Sequence, residues 1–188
     1  MISAWNSLPS TGGVLDVSGG LFGVGSNTQN QLTAKSGITI RGGGAGTGFR
    51  ALSQSFAGGN RAILEFEGVT NLVLRDFEVD LNDQPIGGIR PGRDTNTWIV
   101  SCWVHDAGTS NGHISGDKPS AMIRGFNGHI DLHVIGCLIE NSRGDAGCRR
   151  VVSPAHGLSI ASCATWVIQA SPYMSTKAGI KRKSAAVR

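Results

Sequence analysis

Residues 69–82 read VTNLVLRDFEVDLN and residues 94–107 read DTNTWIVSCWVHDA. Laid over one another they agree in form: a short alternating stretch, a one- or two-residue kink, then a second short stretch. The form returns in GHIDLHVIGCLIENS (128–142) and HGLSIASCATWVIQ (156–169), and its first half in SGITIRGGGAG (36–46). Aligning on the kink gives four columns. The first holds Ile38, Leu72, Thr97, Leu132 and Leu158, and the second Ile40, Leu74, Ile99, Val134 and Ile160. The third holds Gly43, Phe77, Cys102, Cys137 and Cys163, and the fourth Val79, Val104, Ile139 and Thr165. The columns are almost wholly apolar or small while the positions between them vary. Strands with one side on a core and the other facing out produce that pattern.

A lone hairpin cannot bury such columns, but stacked units can, with like residues about 4.8 Å apart along the stack. The units recur at unequal intervals, so each carries loops of its own length. Between the paired stretches lie AILEF (62–66), IGGIR (86–90), AMIR (121–124) and RRVV (149–152), which read as a third strand per unit. Three strands in each of roughly five units predict an all-β fold, a right-handed parallel β-helix. It would span residues 1–170 with an N-terminal cap region around Trp5, followed by a basic tail at 171–188. A β-sandwich explains the density of strands equally well, but not the recurrence of columns at whole-unit spacing. No twelve-residue stretch sustains a helical period with caps, so helical repeats are excluded.

The charge balance narrows the partners. The formal charge of +4 comes from Lys177, Lys181, Arg182, Lys183 and Arg188, which sit where there are no acids; the remainder is near neutral. The high isoelectric point is therefore no nucleic-acid footprint, and the tail reads as a solvated end. No apolar run reaches the length of a membrane helix. The opening MISAWNSLPSTGG has neither a basic nor an apolar leader segment, so no signal peptide is expected from it.

STGGVLDVSGGLF (10–22), SGITIRGGGAGTGF (36–49) and LIENSRGDAG (138–147) resemble coils of the pectate-lyase-like superfamily of right-handed parallel β-helices. The likeness spans roughly residues 5–165 and rests on fold signatures. It implies a carbohydrate-active protein that binds or cleaves an acidic polysaccharide as a lyase or glycoside hydrolase. It equally admits a non-catalytic structural or receptor-binding β-helix of the phage tail-spike kind, so catalysis stays open. The first implies a monomer, the second a homotrimer, and either implies an extracellular or virion setting. The paired-aspartate and Gly-His-Gly motifs of polygalacturonases are absent. No cofactor is expected, save a calcium ion if the chain is a lyase.

Two outward rows carry the candidate chemistry. On the third strand, phase puts Ile63 and Phe66 inward and Glu65, Glu67, Arg90 and Arg124 outward, with Arg149 or Arg150 beyond. Arginine forks suit the carboxylates of an acidic sugar, and Glu65 beside them would serve as acid or base. Where the paired strands end, Asp80, His105 and Glu140 share one outward position. A histidine between carboxylates can pass protons, and two acids about 9–10 Å apart suit an inverting glycosidase. The column through His105, rather than the adjacent His105-Asp106 pair, is expected to be the unit of chemistry. The loop DAGTSNGHISGDKPS (106–120) adds His113, Asp117 and Lys118, and would bring all three sets to one cleft. Trp98 and Trp103 point outward, where indoles stack on sugar rings or pack against loops. These charges equally suit ordinary strand-end and cross-strand pairing. Cys102, Cys137 and Cys163 form an inward stack of reduced thiols without metal-ligand spacing, and no metal ligand is expected; Cys148 is the thiol to test for reactivity.

Overall fold

The structure, a computed structural model, describes residues 2–25, 31–33, 35–52, 62–84, 86–108, 122–125, 130–140 and 148–150. Strand dominates them. The first repeat unit supplies a short helix, α1 (Ile2–Ser7), then β1 (Gly13–Asp16), β2 (Leu21–Val24) and β3 (Gln31–Thr33). The second supplies β4 (Ile38–Ala51) and β5 (Ala62–Glu67), and the third β6 (Thr70–Asp80) and β7 (Gly87–Gly92). The fourth supplies β8 (Thr95–Val100), β9 (Trp103–His105) and β10 (Ile123–Gly125). The fifth supplies β11 (Ile130–Ile135), β12 (Leu138–Ile139) and β13 (Cys148–Arg150).

The strands form two sheets. The larger follows β1-β4-β6-β8-β11, with β2 beside β4 and β9 between β6 and β12. The smaller follows β3-β5-β7-β10-β13. All pairings among the described residues are parallel. Parallel neighbours need a crossover, and here a strand of the other sheet lies on that path in place of the usual helix. The fold is all-β, and the antiparallel sandwich does not describe these residues.

The expected columns are in register: Leu72 with Thr97 and Leu132, Ile40 with Leu74, Ile99 and Val134, and Val79 with Val104 and Ile139. One member needs correcting. Gly44, not Gly43, pairs with Phe77, because β4 slips register twice between Arg41 and Gly48. Beyond the slip Phe49 pairs with Val79 and opens the fourth column, its ring edge-on to Phe77 at 5.6 Å. The last third strand begins at Cys148 rather than Arg149, with residues 151–152 outside the described residues, and β3 adds a strand that the sequence reading lacked. Leu158, Ile160, Cys163, Thr165, the boundary at residue 170 and the basic tail lie outside the described residues.

Each kink is one left-handed residue: Gly44 (φ 96°), Asp76 (57°), Ser101 (52°) and Gly136 (61°). Such a residue resets the alternation, so Ile99 and Cys102 both face inward. A second left-handed column holds Asn71 (54°), Asn96 (55°) and Asp131 (53°). Asparagine and aspartate tolerate this conformation because their short polar chains bond locally. Here Asn96 Nδ2 donates to Asn71 Oδ1 of the unit below at 2.8 Å.

Both sheets turn apolar residues into one core, with Ile38, Leu72, Leu74, Val79 and Val104 meeting Leu64, Phe66, Ile89 and Ile123. Their contact is tightest at Gly88. A Cβ there would stand 2.6 Å from Val104 Cγ1 and 2.5 Å from the Met122 carbonyl oxygen, so only glycine fits. Trp5 of α1 is buried and tilts onto Phe66 at 5.9 Å. Lys35 holds that helix by donating to the Leu8 carbonyl. Cys102 and Cys137 are free thiols buried in the core. The neighbouring Cys137 thiol, together with burial, pushes the Cys102 thiol well up.

Candidate functional site

The row on the smaller sheet forms as the phase predicts. Glu65 pairs in register with Arg90, and the backbones of Arg124 and Arg149 follow above. Its chemistry differs from expectation. Arg90 Nη1 donates to Glu65 Oε1 at 2.7 Å, and the arginine side chain is only 4% exposed. A guanidinium taken out of water requires a counter-charge, and the strand below supplies one. Arg93 also pairs with Glu67, but its side chain is exposed. Arg90 is therefore withdrawn from sugar binding, and Glu65 is committed to Arg90. The Arg124 side chain lies outside the described residues, as do His113, Asp117 and Lys118. The two polar rows belong to different sheets, and most of the loop expected to join them in one cleft lies outside the described residues.

The row on the larger sheet is richer. Arg50 of β4, Asp80 of β6 and His105 of β9 are in register, and Glu140 follows directly after β12. Period-2 alternation puts these residues outward because Val79, Val104 and Ile139 between them face the core. Arg50 Nε donates to Asp80 Oδ2 at 2.9 Å, and the Asn82 backbone N–H donates to Asp80 Oδ1 at 2.7 Å.

His105 is buried and does not bond its column neighbours. Its Nε2 lies 3.0 Å from Glu78 Oε1, and its Nδ1 lies 2.8 Å from Asp106 Oδ2. The adjacent His105-Asp106 pair is thus a direct contact, which corrects the expectation that only the column matters. Its cause is local: Asp106 takes a left-handed backbone (φ 56°) as the chain leaves β9, and this accompanies the return of its carboxylate to the ring. Glu78 is the residue that sequence reasoning missed. It lies one outward position before Asp80, so it reaches His105 diagonally, a recognised range for long side chains across a sheet. Its other oxygen accepts the Gly46 N–H at 2.7 Å, which ties the glycine run of β4 to the site. At Gly48, beside it, a Cβ would stand 2.2 Å from the Glu78 carbonyl oxygen, so this close approach requires glycine.

The two tryptophans are engaged by their neighbours. Trp103 stacks on His105 with centroids 4.0 Å apart and donates from Nε1 to Glu140 Oε2 at 2.9 Å. Trp98 stacks on His133, its register partner, also at 4.0 Å, and donates to Asn96 Oδ1 at 2.7 Å. One face of each indole is thereby covered by imidazole. Both indoles are half-buried, and these contacts are those of the packing alternative. The Trp98 partner is intelligible from register, since residues one unit apart stand at stacking distance, whereas Trp103 stacks on a residue of its own strand.

A different buried acid marks the turn between β7 and β8. Asp94 is fully buried and accepts the Val69 N–H at 2.6 Å and the Gly92 N–H at 3.0 Å. Burial pushes its carboxyl up to about 7, against the pull of these donors. It bonds the backbone of two successive units and reads as a structural clamp.

Four acids thus surround or adjoin one histidine at the end of the larger sheet: Glu78, Asp80, Asp106 and Glu140. Arg50 is paired with one of them, Asp80. Asp106 keeps 41% of its side chain exposed and Arg50 51%, so these two groups present the site to solvent. The arrangement can hold a proton on the imidazole, pass it outward through Asp106, and meet an anionic group at Arg50. No family model matches the chain, and no curated protein and no solved structure matches it either.

Proposed function

We propose that the chain is a right-handed parallel β-helix that binds an acidic polysaccharide across the outer face of its larger sheet, with cleavage of lyase or glycoside hydrolase type as the chemistry its side chains support. The all-parallel pairing of successive units through a second sheet supports the solenoid, and the strong right-handed preference of parallel crossovers supports its hand. The functional reading rests on one observation, the gathering of Glu78, Asp80, Asp106 and Glu140 about His105 beside half-exposed Arg50. A sugar carboxylate would meet Arg50. His105 and Asp106 would move the proton, and Asp80 and Glu140 would flank the bond, about two strand spacings or roughly 9–10 Å apart.

The test is release of reducing ends, and of the ultraviolet absorbance of unsaturated uronate, on a panel of polyuronates with neutral glycans alongside. Product from a polyuronate, reduced about 100-fold or more in His105→Ala, is the expected result. Product from neutral glycans alone would refute the acidic-substrate reading.

One set of contacts favours the second reading, a structural or receptor-binding β-helix of the tail-spike kind. Arg90 and Glu65, Arg93 and Glu67, and the two stacked tryptophans satisfy one another within the scaffold. Light scattering separates the two. A homotrimer that is inert on the whole panel belongs to the second, and a monomer that releases product belongs to the first.

A further inference from the structure

We infer that Asp80, His105 and Asp106 form a binding site for a divalent cation of the zinc type. One ligand atom from each lies within 4.8 Å of the others. Donors about 2.0–2.1 Å from a tetrahedral zinc ion lie about 3.4 Å from one another, so modest closure brings this set onto the metal. The scaffold that carries them is firm. Asp80 ends β6, His105 ends β9, and the two are register partners in one parallel sheet. Asp106 follows at a fixed left-handed turn.

The hydrogen bonds of the ring point the same way. Carboxylates only accept, and a neutral imidazole has one proton to give. Glu78, 6% exposed and anchored by the Gly46 N–H, faces Nε2. As imidazolium the ring donates from Nδ1 to Asp106 Oδ2; as the neutral ring with its proton on Nε2 it leaves Nδ1 and Oδ2, 2.8 Å apart, as two ligand atoms for a cation that takes the proton's place. A histidine that binds metal through one nitrogen while donating from the other to a buried carboxylate is the arrangement that fixes the tautomer and raises ligand basicity. Imidazole and carboxylate together suit zinc better than calcium, which takes oxygen ligands only. Arg50 opposes the site electrostatically, since it occupies one side of Asp80 Oδ2. Each carboxylate oxygen has a further lone pair, so Arg50 weakens the site without filling it.

A cation here offsets the acid surplus that would repel a polyuronate, and it takes the His105 Nδ1 and Asp106 positions that the carbohydrate reading gives to proton movement, so the two roles are alternatives. The site nevertheless stands without the carbohydrate reading, since its test uses no sugar. The full-length chain is dialysed against chelator and titrated with zinc chloride by calorimetry, with circular dichroism recording the fold of each variant. The expected result is one equivalent bound in the wild type, weakened about 100-fold or more in His105→Gln and at least 10-fold in Asp106→Asn. Glu78→Gln weakens binding about 10- to 100-fold, the usual effect of losing an outer-shell partner. Arg50→Gln, which removes the opposing charge, tightens it. Asp106 is part-exposed, so its variant keeps the question open to refutation if the His105 variant does not fold. No binding by folded wild type, or binding indifferent to both Asp106→Asn and His105→Gln, overturns the assignment, whatever the outcome with polysaccharides.

Discussion

The two polar rows are built alike and balanced differently. On the smaller sheet, each described acid meets an arginine one unit away: Glu65 with Arg90, Glu67 with Arg93. On the larger sheet, Asp80 meets Arg50, Glu78 and Asp106 meet His105, and Glu140 accepts from Trp103, four acids against one arginine and one histidine. Parallel stacking explains why charges form rows at all, since a residue type repeated at one position recurs about every 4.8 Å. It does not explain an excess of one sign. Charges that pair off, as Glu65–Arg90 and Glu67–Arg93 do, stabilise the stack and are little free to act on a partner; Arg124 and Arg149 continue that row with side chains outside the described residues. An unbalanced row carries repulsion that packing alone gives no reason to keep, and so it is the better candidate for function.

The comparison can be broken most forcefully at Arg90. Its removal strands Glu65 in a site where the arginine side chain was 4% exposed, so Arg90→Met should cost about 3–5 kcal/mol in denaturant unfolding. Replacing both partners by apolar residues should restore most of that loss. If the single variant is as stable as the parent, the smaller-sheet pair is not structural.

Asp94 tests whether the smaller-sheet side can also hold an acid without a cation. Its folded value is raised to about 7 from 3.8, chiefly by burial. The folded state therefore holds the proton more tightly than the unfolded one. Its contribution is fully present below about pH 4 and is lost as pH rises through 7, a change of up to a few kcal/mol. The wild type should lose stability between pH 5 and 8 more than Asp94→Asn does. Parallel profiles for the two would remove Asp94 as the cause.

Between the rows lies Thr97, fully buried in the first column, with no hydrogen-bond partner for its hydroxyl among the described residues. Thr97→Val keeps the shape and removes the unsatisfied group, so unfolding should shift toward greater stability by about 1 kcal/mol. The smallest effect belongs to the unbalanced row. Asp106→Asn removes one acid from a crowd and should change stability by less than about 0.5 kcal/mol, while altering metal binding as given above. A loss as large as that of Arg90→Met would mean that both rows serve structure.

The stacking was legible in the sequence because period-2 strands in parallel register print their core as columns. Thr97, Ile99, Cys102 and Val104 could be placed inward from a single alignment. The first unit was harder. The GGGAGTG run of β4 slips register, which moved Phe49 out of sight and shifted the third column from Gly43 to Gly44. The position of Asp80, His105 and Glu140 was legible for the same reason as the core. Their bonds were not, because a column records only directly opposed residues, and Glu78 meets His105 on the diagonal. The covered faces of Trp98 and Trp103 depend on rotamers that no alignment carries. The register that places Trp98 beside His133 was nonetheless present in the repeat. Burial of Arg90 depends on what lies over the outer surface of the smaller sheet, which strand phase does not describe.

If the unbalanced row on the larger sheet is the working surface, His105 decides it: product release from polyuronates is compared between the wild-type chain and His105→Ala, with both shown to be folded. Release by the wild type and its loss in the variant is the predicted result. Equal release by both, or none from a wild type that also fails to bind any polyuronate, would contradict it.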